Sequence, residues 1–153
     1  MKNIKINYFI LFLVSTIAFS CKNQDVSIAT TIKYGTSFGM CAGYCKRDLV
    51  LNNKQATLSL NKHGSNPETK SCNKEVDDAT LSSINESIDA NTFNNMPDVI
   101  GCPDCADGGA EYVELTNNGK TKRVTFEYGK TPTELKELLN QIKPIFNSFN
   151  DCK

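Results

Sequence analysis

Residue types that carry acid–base chemistry are scarce in this chain. His63 is its only histidine, which excludes a His-Glu-x-x-His zinc helix outright. With nothing in its neighbourhood placed to orient it, His63 reads as a surface residue of a polar loop. No nucleophile, base and acid set emerges, so no enzymatic activity is expected. An excess of one charge is lacking as well. Seventeen basic residues balance 17 acidic ones, interspersed along the chain, which argues against a nucleic-acid partner or a basic membrane-binding face. Long apolar runs are missing too: the longest, Tyr8 to Phe19, is about a dozen residues, short of the roughly 20 that a spanning helix needs.

What that run does instead is set an address. It follows Lys2 and Lys5 and closes with the small Ala18 and Ser20 flanking Phe19, the layout of a secretion signal over residues 1–20. The string Ile17-Ala18-Phe19-Ser20-Cys21 resembles a lipobox, in a relaxed form with Ala18 where leucine is commonest and a bulky Phe19. The resemblance implies cleavage before Cys21, a diacylglycerol thioether on its sulfur and an acyl chain such as palmitate on its amine. More than one chain holds a protein stably on a bilayer. The expected location is the outer membrane of a cell envelope, on its periplasmic or surface face, with the membrane as first partner. Residues 21–27 form a polar tether, in which Lys22-Asn23-Gln24-Asp25 is loosely similar to surface-export signals. The remainder, 28–153, is about the size of one ordinary domain. It carries a net charge of about −2 once Lys2 and Lys5 are removed.

Six further cysteines, Cys41, Cys45, Cys72, Cys102, Cys105 and Cys152, are an even number in a chain bound for an oxidising compartment. Three disulfides are the expectation, with all pairings open and Cys152 suited to pinning the chain's end. Two other readings exist. The close pairs Cys41-x3-Cys45 and Cys102-x2-Cys105 have the spacing of a four-thiolate zinc site. Alternatively, Cys102 and Cys105 form a thiol oxidoreductase motif. Against the latter, glycines and a strand follow Cys105 where a helix N-terminus would lower a thiol's pKa, and Asp104 and Asp107 repel a thiolate. Asp104, Asp107 and Glu111 lack the spacing of a calcium loop and read as a solvated acidic turn. No cofactor motif is present.

Alternation over 28–34 marks a half-buried strand. A glycine-rich link over 35–43 leads to a hairpin, 44–51 with 56–60 around Asn52-Asn53, whose leucines share one face. Residues 62–73 read as a loop. A helix follows from an Asp77 or Asp78 cap, presents Leu81, Ile84 and Ile88, and stops before Asn91, with Phe93 plugging the core behind it. Asn118-Gly119 is the preferred two-residue hairpin turn, setting Val113 opposite Val124 and Glu111 opposite Phe126. Thr131-Pro132-Thr133-Glu134 has the form of a capping box ahead of a last helix with a Leu135, Leu138, Leu139, Ile142 stripe, and Pro144 should kink or break it. The expected fold is α+β: an antiparallel sheet of four or five strands, two helices on one face, and disulfide staples.

The string Phe38-Gly39-Met40-Cys41-Ala42-Gly43-Tyr44 and the order of hairpins and helices after it resemble an uncharacterised domain family of Bacteroidota-type lipoproteins and secreted proteins. The resemblance spans Val26 to Phe149 and implies no activity. Among glycines that allow close backbone approach, Tyr34, Phe38, Met40 and Tyr44 form the candidate binding surface. The expected function is that of a lipid-anchored, disulfide-stapled interaction module for an envelope protein or ligand, with inhibition of a hydrolase as one form of it. The alternatives are the oxidoreductase and the zinc protein.

Overall fold

The structure, a computed structural model, describes residues 31–152. The leader, Cys21, the 21–27 tether and residues 28–30 of the first expected strand lie outside the described residues.

Strands β1 (Thr31–Ser37), β2 (Tyr44–Asn52), β3 (Gln55–Lys62), β4 (Thr69–Glu75), β5 (Val99–Ile100), β6 (Ala110–Asn117) and β7 (Lys120–Glu127) build one sheet in the order β4-β3-β2-β1-β6-β7-β5. The helices are α1 (Asp78–Glu86), α2 (Ala90–Asn95) and α3 (Lys136–Asn147). Neighbouring strands are antiparallel except β5, which runs parallel to β7. The expected four- or five-stranded antiparallel sheet with two helices is therefore corrected. Among the described residues the sheet has seven strands and is mixed, there are three α-helices, and the chain is mostly β.

Each difference has a physical cause. The stretch read as the loop 62–73 contains the start of β4, whose sequence Thr-Lys-Ser-Cys-Asn-Lys-Glu offers only Cys72 to the core and so shows no apolar alternation. Strand β1 runs on through Gly35 to Ser37 because Tyr112 of β6 lies across Gly35, where any Cβ would collide with its ring. Asp89 starts a second helix by accepting hydrogen bonds from the N–H groups of Asn91 and Thr92, both 3.1 Å, so Phe93 is buried from α2 and not from a loop. The capping box does not form. Thr133–Leu135 makes a 3-10 turn and α3 begins after it, with no side-chain cap. Nor does Pro144 end α3. The N–H it lacks would bond Asn140, which lies on the exposed side where water serves the carbonyl, and one bond is lost only a turn from the end.

Both hairpins keep the expected facing. The β2–β3 turn falls at Asn53-Lys54, one residue later than read, with Leu51 opposite Ala56 and Leu49 opposite Leu58. Across β6–β7 Val113 faces Val124, Leu115 faces Lys122 and Glu111 faces Phe126, as Asn118-Gly119 dictates. One sheet face is thus apolar. Leu49, Leu58, Val113, Val124 and Phe126 are fully buried there with Ile84, Leu138, Leu139 and Ile142 from the helices. Each such side chain contributes roughly 1.5–3 kcal/mol. The other face carries Lys33, Asp48, Ser59, Ser71, Glu114 and Arg123 and has no helix over it among the described residues.

Three disulfides complete the frame. Cys72–Cys152 joins positions 80 apart and fixes the chain's end beside β4, while Cys41–Cys45 and Cys102–Cys105 close local loops.

Candidate functional site

The chain enters the described domain at Thr31, which pairs with Thr116. That end of the sheet holds the turns Asn53-Lys54 and Asn118-Gly119. At the far end of β1, roughly 20 Å away at the rise of a strand, lie the loops 38–43, 63–68, 101–109 and 128–132. Both local disulfides sit there, together with two exposed large apolar side chains: Met40 is 78% exposed and Tyr128 49%.

Hydrogen bonds join these loops into one surface. Phe38 donates its N–H to the Cys45 carbonyl at 3.1 Å, and the N–H groups of Cys45 and His63 both reach the Gly43 carbonyl. The Gly39 N–H donates to the Asp104 carboxylate at 3.3 Å, tying the Cys41–Cys45 loop to the Cys102–Cys105 loop. The carbonyl of Gly109 accepts from Asp104 and from Tyr128. Phe38 and Tyr128 pack edge to face with ring centres 4.9 Å apart, and the Phe38 ring covers Gly109, which has φ +79° and no room for a side chain. Asp104, Ala106 and Asp107 all adopt left-handed backbone, φ 61°, 51° and 61°, a conformation that costs non-glycine residues energy and that the bridged turn holds in place. The Glu127 carboxylate accepts from the Cys102 N–H at 3.1 Å, and Lys130 beside it, with that N–H, lowers its pKa below the usual carboxylate range.

Beneath this end lies a buried polar node. Glu111, only 2% exposed, accepts from the Tyr34 phenol at 3.0 Å and the Gly129 N–H at 3.0 Å, and pairs with Lys143 of α3 at 2.9 Å. Burial first, and the Glu111 charge second, push the Tyr34 phenol well above its ordinary pKa, so it stays protonated and donating. The node fixes the 128–130 loop to the core. On the open face Asp48 accepts from Tyr112, with Lys33 and Lys46 at 3.7 and 3.5 Å.

Of the four aromatic and Met positions read as one surface, Phe38 and Met40 lie in the loop at this end and Tyr44 opens β2 beside them. Tyr34 is a core residue, and Tyr44 packs at the core's rim with Lys70 over its ring. Tyr128, which the sequence reading missed, joins them; its exposed aromatic ring just after a strand was the available signal. Asp104 and Asp107 stay in the exposed turn, whereas Glu111 departs from them into the core.

Short strings with hydrolase spacings come to nothing structurally. Gly35-Thr36-Ser37-Phe38-Gly39 has the Gly-x-Ser-x-Gly spacing, yet Ser37 ends β1 and a loop follows, not the strand-to-helix elbow that exposes a nucleophile. His63 lies beyond β3, two strands from Ser37. Ser59-x-x-Lys62 and Ser71-x-x-Lys74 lie on strands, where residues three apart point to opposite faces. Ser59 and Ser71 share a hydrogen bond instead, at 3.0 Å.

The four clustered cysteines are paired within their own loops, and a three-residue 3-10 turn, Cys105–Asp107, kinked at Ala106, stands in place of a helix. Among the described residues no three His, Cys, Asp or Glu side chains converge as a metal would require, and no helix is long and apolar enough to cross a membrane. In sequence the chain matches no family model and no curated protein.

Proposed function

We propose that this protein is a lipoprotein of the outer membrane, anchored through an acylated Cys21 after removal of residues 1–20, whose loop end bearing Met40 and Tyr128 binds a partner protein of the envelope. One observation carries the reading: both local disulfides and the exposed Met40 and Tyr128 share one end of the sheet, opposite the point where the chain enters at Thr31. Bridges that close so few residues add less to global stability than a long-range bridge does. Their effect is local: they hold loops in one shape, and a preorganised loop loses less entropy when it binds. An exposed methionine and tyrosine between polar neighbours suit the centre of a small protein interface. A hydrolase is one partner class for such a rigid end, and inhibition assays with lysozyme and proteases address it.

The test is affinity capture from envelope extracts with the wild-type chain and with a Met40→Ala, Tyr128→Ala variant. A defined partner retained by the first and lost from the second is the expected result. Turnover of a substrate by the purified chain, or capture indifferent to the two substitutions, would overturn the proposal.

A further inference from the structure

The three disulfides are built differently. Cys72–Cys152 ties distant parts of the chain, and Cys152 is only 9% exposed. In Cys41–Cys45 the second sulfur belongs to a buried strand residue, Cys45. That loop is also relaxed. Its one left-handed position is a glycine, Gly43 at φ 96°, and the Phe38 and His63 N–H groups bond its backbone whether or not the sulfurs are joined. Cys102–Cys105 differs on both counts. Both of its cysteines are exposed, and the turn they close holds three left-handed residues, none of them glycine. Aspartate tolerates that region, so Asp104 and Asp107 add little strain, but Ala106 at φ 51° sets its Cβ against the carbonyl that follows.

This strained conformation has few other supports. Beyond the Asp104 N–H on Gly109, the turn's own hydrogen bonds run from Cys105 to the Cys102 carbonyl at 3.2 Å and from Gly108 to the Cys105 carbonyl at 3.1 Å. Both lie on exposed residues, where water competes for the same groups. One bond leaves the turn for the Met40 loop, the Gly39 N–H on the Asp104 carboxylate. Bridge, strain and tie therefore form one unit: once the S–S bond is open, Ala106 relaxes and the backbone that holds Asp104 against Gly39 is released. Exposed or strained disulfides are the ones that thiols reduce most readily, and only this bridge is both.

We propose that Cys102–Cys105 is a redox-sensitive clasp: a dithiol protein reduces it, and the opened turn lets go of the loop that carries Met40. The chemistry is thiol–disulfide exchange. A thiolate of the dithiol attacks either sulfur, the S–S bond breaks, and the displaced cysteine leaves as a thiolate and takes up a proton. The second thiol of the dithiol then displaces the first, freeing the other cysteine as a thiol. The pair gains two electrons and two protons, and the dithiol becomes a disulfide. No helix N-terminus follows Cys105 to make it an attacking thiolate, so the pair receives electrons and is not an oxidoreductase. The other two bridges and the core stay closed. The effect on binding rests on the assignment of the partner to this loop end: a freed loop must be ordered again when it binds, which weakens the complex.

The test equilibrates the full chain, in detergent micelles, with graded ratios of reduced to oxidised dithiothreitol, then quenches with acid, alkylates and maps each cysteine pair by mass. Cys102–Cys105 should open at a ratio at least about tenfold lower than either other bridge needs. Ala106→Gly relieves the strain and keeps both cysteines, so it should raise the ratio needed by about threefold or more. In hydrogen exchange of the chain opened at this bridge alone, the Gly39 amide should exchange at least about tenfold faster while the amides of β1 and β6 are unchanged. Bridges that open together, another bridge that opens first, no effect of Ala106→Gly, or an unchanged Gly39 amide overturns the proposal. These readouts need no partner. Capture from envelope extracts then tests the consequence: the oxidised chain should retain at least about tenfold more of its partner than a Cys102→Ser, Cys105→Ser variant does. Equal retention by both overturns the regulation. Retention by neither overturns the loop end as a binding surface, and the clasp is still decided by reduction and exchange.

Discussion

Replacing Cys72 and Cys152 together by serine opens the one long-range bridge, between positions 80 apart. Chain entropy sets the expected cost: a closed loop of that length restricts the unfolded ensemble by about 15 cal/mol/K, or about 4.5 kcal/mol at 25 °C. The same expression gives about 2 kcal/mol for the bridges that join positions three and four apart. Because a domain of this kind is stable by only about 5–15 kcal/mol, the first loss is a large part of the whole and either of the others is minor. The native side points the same way. Cys152 is itself in the core, Phe149 is buried beside it, and Lys74 holds the Ser148 carbonyl, so freeing the tail also exposes apolar surface. The assay is urea denaturation of the three paired Cys→Ser variants, each in a Cys21→Ser background. The Cys72, Cys152 variant should lose at least twice the free energy lost by either of the others. Equal losses, or a larger loss on opening Cys41–Cys45 or Cys102–Cys105, would refute the division between one bridge for stability and two for local shape.

Gly35→Ala should destabilise by about 1–3 kcal/mol, the usual cost of overpacking. The new methyl would press on the buried Tyr112 ring and stand 2.8 Å from an Asp48 carboxylate oxygen; unchanged stability in urea would contradict the close crossing of β1 and β6. Tyr34→Phe should change the alkaline limb of the stability profile. The folded state keeps this phenol protonated above the pH, about 10, at which the unfolded chain releases the proton. Its share of stability is therefore whole below that pH and declines as pH rises beyond it, by up to about 1.4 kcal/mol per pH unit. The variant should decline less steeply between pH 9 and 11 than the parent, whereas parallel curves would mean that Tyr34 titrates normally.

Where a residue's neighbours in the chain decide its conformation, the sequence was informative. Asn118-Gly119 determines its hairpin and the register of every pair across it, and the leucines of 49–60 choose their face by alternation alone. The sheet's outer strands were illegible for the opposite reason. An edge strand buries almost nothing, so β4 carries no apolar pattern, and β5 is too short to have one. Gly35 misled because a glycine looks like a link until Tyr112 is known to lie across it, a contact between residues far apart in the chain. The same distance hid the loop end. Phe38 and Met40 were visible as aromatic and Met residues among glycines, but the packing of Phe38 on Tyr128, and the burial of Tyr34 in the core, depend on how β1 and β7 lie in space.

The most direct measurement is site-specific photocrosslinking in living cells, with the reactive side chain placed in turn at Met40, Tyr128, Lys54 and Asn118. The first two positions lie on the loop end and the last two on the turns beside the chain's entry, all of them exposed. One partner joined to the chain from Met40 and from Tyr128, and from neither Lys54 nor Asn118, is the expected result. A partner joined only through Lys54 or Asn118, or no adduct from the loop end, would contradict the assignment of binding to that surface.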